Sequence, residues 1–164
     1  MSIDLAAPAA TTETSNAPMP AAPPLVQRLV RDCGADWVDE HSVADWAAAG
    51  GDRVLLLAGD PVQFPEGLDV AVVLPELQRS LGLPLRMGAV PRASEDAVAR
   101  RYGSQRWPSL IFLREGGYVG AIAGMHDWDV FQQQVREMLA RPVSRAPGVG
   151  IPVVNANGAG SSCH

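Results

Sequence analysis

The stretch RWPSLIFLREGGYVGAIAG, residues 106–124, carries the reading of the fold. Leu110-Ile111-Phe112-Leu113 is an apolar run of strand length, Glu115-Gly116-Gly117 is a turn, and Tyr118 to Gly124 reads as the return strand of a hairpin. A proline, Pro108, stands just ahead of the first strand and behind an aromatic residue, Trp107. An X-Pro bond is the one place where a cis peptide costs little, and an aromatic residue before Pro favours it. The alternative is an ordinary trans proline opening a strand.

Working outward, Asp127 caps a helix with Trp128, Phe131, Val135, Met138 and Leu139 on one stripe, ended by Arg141-Pro142. Upstream, Arg53 to Gly59 (RVLLLAG) is a continuous apolar run, the pattern of a central strand buried on both faces. Asp60 to Gly67, with two prolines and a glycine, reads as loop. Val70, Val73, Leu74, Leu77 and Leu81 then follow helical spacing, with Pro75 predicted to kink the helix and a short strand over 70–74 as the alternative. Leu85 to Val90 reads as a strand, and Ser94 as the cap of a helix through Ala97, Val98 and Arg101 to Gly103. Nearer the start, Pro24 opens a helix with Leu25, Val26, Leu29, Val30 and Cys33 on one stripe and Gly34 as its stop. Trp37-Val38 is a brief strand, and Ser42 caps a helix with Val43, Trp46 and Ala47 that Gly50-Gly51 closes. This order of helix, strand, helix, strand, helix, strand, helix, hairpin and helix is that of an α/β thioredoxin-like fold, a central mixed sheet flanked by helices. In such folds a cis proline faces the active-site loop, and Pro108 falls at that place.

Composition sets the limits of this unit. The first 24 residues hold five Pro and seven Ala, and the 23 from Pro142 on hold three Pro and four Gly. Neither end has the apolar content to build a core. Three segments are therefore expected: a disordered Pro/Ala-rich stretch over 1–23, a thioredoxin-like domain over 24–141, and a flexible Gly/Pro-rich tail over 142–164. A net charge of -5 with no Lys-Arg run argues against nucleic acid. No apolar run approaches the length of a membrane span. With no basic residue before Arg28 and no apolar stretch ahead of the Pro-rich segment, no secretory signal is read, and the expected compartment is the cytoplasm.

In an oxidoreductase of this fold, the loop after the central strand carries C-x-x-C, because a thiolate at a helix N-terminus is stabilised and a second thiol resolves the mixed disulfide. Here that loop is Phe64-Pro65-Glu66-Gly67, without sulfur. Cys33 reads as an inert thiol on an apolar helix stripe. Cys163 and His164 together make only half a metal site, and no cofactor is expected. His41 and His126 each precede a predicted helix and read as rim residues. Asp60, Glu66, Asp69 and Glu76 cluster around the loop and the following helix, with Asp69 and Glu76 seven apart on one face. Two readings stay open: acidic residues suited to a helix N-terminus, or a negative groove beside Phe64, Trp107 and Pro108 that accepts an extended, partly basic peptide. Asp32, Asp36, Asp39 and Glu40 read as a solvated face.

Five segments resemble one known family: Val54 to Pro61, Phe64-Pro65-Glu66, Arg106 to Leu110, Glu115-Gly116-Gly117-Tyr118 and Gly124-Met125-His126-Asp127-Trp128. They are similar to the hydrogenase expression proteins of the HyaE/HupG/HoxO type, thioredoxin-like proteins without the redox cysteines, and the resemblance runs from about Trp37 to Leu139. It implies a cytoplasmic, non-enzymatic chaperone in the maturation of an uptake [NiFe]-hydrogenase. Its partner would be the small-subunit precursor with its twin-arginine signal peptide, held before cluster completion, assembly and export, with a second accessory protein cooperating. On this reading Asp60, Phe64, Glu66, Asp69, Glu76, Trp107 and Pro108 are the expected partner-binding residues. Two rival classes remain, a thiol-based redox protein using Cys33 or Cys163 and a generic thioredoxin-like peptide-binding module.

Overall fold

A computed structural model of the chain describes residues 20–148. Among these, helices α1 (Pro24–Cys33), α2 (Val43–Ala48), α3 (Glu66–Leu81), α4 (Arg92–Tyr102) and α5 (Trp128–Ala140) alternate with strands β1 (Asp36–Trp37), β2 (Asp52–Leu57), β3 (Arg86–Ala89), β4 (Ser109–Arg114) and β5 (Gly117–Ala123). The strands form one mixed sheet in the order β1-β3-β2-β4-β5. β2 pairs parallel with β3 and antiparallel with β4, in the register Leu55↔Gly88 and Leu55↔Ile111. It occupies the centre of the sheet, as its unbroken apolar run predicts.

Successive side chains of a strand point to opposite faces, so that run feeds two cores at once. Val54 and Leu56 pack with Val26 and Leu29 of α1, Leu74 and Leu77 of α3, and Phe131 and Val135 of α5. Leu55 and Leu57 pack with Val43 and Ala47 of α2 and with Val98 and Tyr102 of α4. Three helices thus cover one face and two the other. None of the helices among the described residues is long and apolar enough to cross a membrane.

Several element ends differ from the sequence reading, for identifiable reasons. α3 starts at Glu66, inside the segment read as loop, with Pro65 at its N-cap and Glu66 and Asp69 in its first turn. A proline at a helix start gives up a donor that has no partner there anyway, so it opens the helix rather than breaking the chain. Pro75 lies buried inside α3, which continues through it to Leu81, and the strand alternative for 70–74 falls. Pro91 is likewise the N-cap of α4, which places Ser94 in the first turn, buried, and not at the cap. At α2 Ser42 holds the N-cap position, but its side chain bonds no helix N–H and accepts instead from Asp39 N–H (3.0 Å); the Asp39 carboxylate accepts from the backbone N–H groups of His41 (2.9 Å) and Ser42 (2.8 Å) and turns the chain into the helix.

Asp36, read as part of a solvated face, is half-buried. Its carboxylate accepts from Trp46 Nε1 (2.8 Å) and, bidentately, from Arg86 (2.7 and 2.8 Å). Burial alone would raise its pKa, but the Arg86 and Trp46 hydrogen bonds together outweigh that and hold it below the ordinary value. A depressed carboxylate contributes stability above its unfolded pKa and loses it as pH falls through the folded value. Asp36→Asn should therefore cost about 1 kcal/mol at pH 7, a modest figure because the pair is partly exposed. Denaturant midpoints of mutant and wild type should draw together as pH falls below the ordinary carboxylate range; a gap unchanged across that range would contradict the assignment.

Residues 142–148, assigned from the sequence to the C-terminal tail, run along the domain. Ser144 N–H donates to Tyr118 O (2.7 Å), extending the sheet by one antiparallel bridge at the β5 edge. Arg114 donates to the carbonyls of Arg141 (2.7 Å) and Leu139 (2.6 Å) and so fixes the end of α5 to the hairpin. Cys163 and His164 lie outside the described residues.

Candidate functional site

Three loops meet beyond the C-terminal end of β2. The first, Gly59 to Pro65, is wound by its own acid: Asp60 Oδ1 accepts from the N–H groups of Val62 (2.8 Å) and Gln63 (3.1 Å), and the Asp60 carbonyl accepts from Phe64 N–H (2.7 Å). Aspartate favours such turns because its short side chain reaches the backbone two residues on. This winding brings the Phe64 ring to 6.1 Å from Trp107, at a 30° tilt. The second loop holds Trp107 and Pro108, joined by a cis peptide bond. The third follows β5, and its Gly124 N–H donates to Pro108 O (2.8 Å).

Two glycines make the close approach possible. Gly59 has φ of +79°, and a Cβ on it would lie 2.8 Å from the Phe64 ring and 3.0 Å from Trp107 Cβ. Gly67, in the first turn of α3, lies so close to β2 that a Cβ there would run into the Ala58 carbonyl. The helix start therefore rests directly on the strand end.

Of the residues expected to bind a partner, Phe64 and Trp107 form the aromatic centre, and Pro108 is buried behind them. Glu66 and Asp69 stand exposed on the first turn of α3, while Asp60 spends its carboxylate on the loop. Glu76 is not brought to the same place. It lies about 15 Å further along α3 at 1.5 Å per residue, paired with Arg79 (2.8 Å). There it borders a cavity of about 100 Å³ between α1 and α3 that Cys33 also lines, half-buried and not sealed in the core.

The surface also holds apolar residues that were not among the expected partner-binding ones, and one of them, Trp128, was read on the apolar stripe of the last helix but is exposed. Val62 is 89% exposed at the tip of the first loop, and Met125 and Trp128 are exposed on and after the third. On its other side, Trp107 borders an open groove of about 370 Å³ with Asp96, Ala99, Arg100, Ser104 and Gln105. Beneath the aromatic pair lies Glu95, 1% exposed, whose two carboxylate oxygens accept from Gly59 N–H (3.0 and 3.1 Å). Arg92 Nη1 approaches it at 3.3 Å. Burial raises the Glu95 pKa above the ordinary value, against the opposing pull of Gly59 N–H and Arg92. In the sequence Glu95 is one acidic residue in a helical first turn, a place where acids are common on exposed surfaces.

No thiol or hydroxyl nucleophile stands in the first loop, and among the described residues no group of three or more His, Cys, Asp or Glu is placed to hold a metal ion. What the loops build is an aromatic and apolar surface with carboxylates beside it, an arrangement suited to holding an extended chain.

Comparison with known proteins places this arrangement. The chain resembles a thioredoxin from Halobacterium salinarum in fold alone, with a TM-score of 0.52 at 14% identity over 70% of this chain and 96% of that one. It is 56% identical over 153 residues to the hydrogenase expression/formation protein HoxO of Cupriavidus necator, covering 90% of this chain and 94% of that protein. It is 39% identical over 115 residues to the hydrogenase expression/formation protein HupG of Bradyrhizobium diazoefficiens, covering 70% and 78% respectively. The family model of hydrogenase-1 expression protein HyaE matches residues 25–131. Its range takes in the sulfur-free first loop, the Trp107-Pro108 turn and the loop after β5, and the chain belongs to the HyaE family of hydrogenase expression proteins.

Proposed function

We propose that this protein is a non-enzymatic, cytoplasmic chaperone of hydrogenase maturation, and that it docks the small-subunit precursor through the basic and apolar segment of its twin-arginine signal peptide. The observation that supports this reading is a sulfur-free, aromatic loop: Phe64-Pro65-Glu66-Gly67 holds a ring on Trp107 where an oxidoreductase of this fold holds its thiols. Phe64, Trp107, Val62, Met125 and Trp128 offer apolar surface, and Glu66 and Asp69 offer charge opposite to that of a basic peptide. A second accessory protein would share the precursor. Binding of a tagged version to the precursor, repeated with the signal peptide deleted, tests the assignment; equal capture of both forms would move the docking site off the signal peptide. Full hydrogenase maturation with Cys33 and Cys163 both changed to Ser would remove the redox alternative.

Charge contributes to this docking unevenly. Asp69→Lys should weaken precursor binding about three- to tenfold and flatten its salt dependence, in line with the small worth of an exposed charge pair. Glu76→Lys should have the smaller effect, because Glu76 lies down the helix and already faces Arg79. Titration calorimetry at two salt concentrations reads both, and a double mutant binding as tightly as wild type would end the electrostatic part of the proposal.

A further inference from the structure

Four donors face the Glu95 carboxylate. Gly59 N–H meets both oxygens, Arg92 reaches one, and the Ala58 N–H and the Trp107 indole face the same carboxylate. Two oxygens on one N–H leave accepting capacity to spare, while Trp107 Nε1 is buried beside them without closing a hydrogen bond. Gly59, the residue so held, is hemmed between the Phe64 and Trp107 side chains. One carboxylate thereby holds the first residue of the first loop and lies against the indole of the second.

We propose that Glu95 is the positioning residue of the docking surface and a proton-sensitive latch: its charged carboxylate ties Gly59, and with it the Phe64 loop, against Trp107, and uptake of a proton loosens that tie. A hydrogen bond to a charged acceptor is roughly twice as strong as one to a neutral acceptor. The added O–H also needs an acceptor, and the four groups facing Glu95 are all donors. Arg92 is the charged group opposite, on the same helix, and it is shared with Asp96 at 3.4 Å. From the β1–α2 loop, Glu40 meets the neighbouring Ser94.

Fold and latch respond to this proton in opposite directions. Because burial raises the Glu95 pKa, the stability that Glu95 contributes is present at low pH and is lost as pH rises through the folded value. The grip on Gly59 is firmest on the high-pH side. A merely structural role would move both together.

The latch belongs to the free protein, and its consequence for binding rests on the docking reading above. In nitrogen-15 NMR of the full chain between pH 4.5 and 8, the Gly59 amide and the Trp107 indole N–H should shift together, with one midpoint above the ordinary 4.5. Glu95→Gln should abolish both shifts and weaken precursor binding at pH 7 about tenfold, in a protein that still unfolds cooperatively on heating. Flat resonances in the wild type, or a titration that persists in E95Q, overturn the latch. Should E95Q fail to fold, the wild-type titration decides alone. If the titration is present and lost in E95Q while both forms bind precursor equally, the latch stands and the docking assignment falls.

Discussion

Gly67→Ala should be among the most damaging single-methyl changes in the domain, lowering the free energy of unfolding by about 3 kcal/mol or more. Overpacking in a close-packed site costs typically 1–3 kcal/mol, and here the obstacle is the Ala58 backbone, which has no alternative rotamer to adopt. Relief requires the first turn of α3 to lift off the end of β2, which opens the contacts of Val70 and Ala71 in the core below. Against a total stability of roughly 5–15 kcal/mol, such a loss is large. Gly34→Ala makes the control. That glycine has φ of +76° with nothing within 4 Å of its would-be Cβ, so only the cost of a left-handed residue, about 1 kcal/mol, applies. Urea denaturation of the two mutants separates steric from conformational cost, and equal midpoints would mean that the helix start is free to move.

Trp107→Ala should reduce affinity for the small-subunit precursor at least about thirtyfold, the effect of losing a central aromatic anchor worth about 2 kcal/mol. The indole lies between Phe64 and the open groove along α4, so truncation removes a wall from both. Part of any loss of stability would come from the same ring, and Phe64→Ala distinguishes the two effects. It removes the partner ring but leaves the groove wall, and should weaken binding less. Retained affinity in folded Trp107→Ala would place the docking surface elsewhere.

How much of this was legible in the sequence depended on whether the deciding interaction was local. The unbroken run from Val54 to Leu57 announced a strand buried on both faces because burial is written into residue type. Gly34 ended α1 and Gly103 ended α4, each in the left-handed conformation, because that stop needs only one residue. Glu95 was invisible for the opposite reason. Its partner Gly59 lies 36 residues away, and nothing local distinguishes a buried acid in a helical first turn from an exposed one. Asp36 failed in the same way, since its setting is made by Arg86 from 50 residues away. The start of α3 was missed because Pro65 and Gly67, residues that punctuate loops, serve here as a helix opener and a packing contact. The acidic group was read as one cluster from its closeness in sequence, but Asp60 is consumed by its own loop and Glu76 by Arg79.

The bond from Gly124 N–H to Pro108 O joins the loop after the last strand to the turn before β4. The Trp107-Pro108 turn is therefore braced by a segment made after it. A growing chain that has emerged only as far as β4 carries Phe64 and Trp107 but lacks the segment that braces them, and Met125 and Trp128 have yet to be made. On the proposed docking reading, the surface is complete only once the segment after β5 has been made.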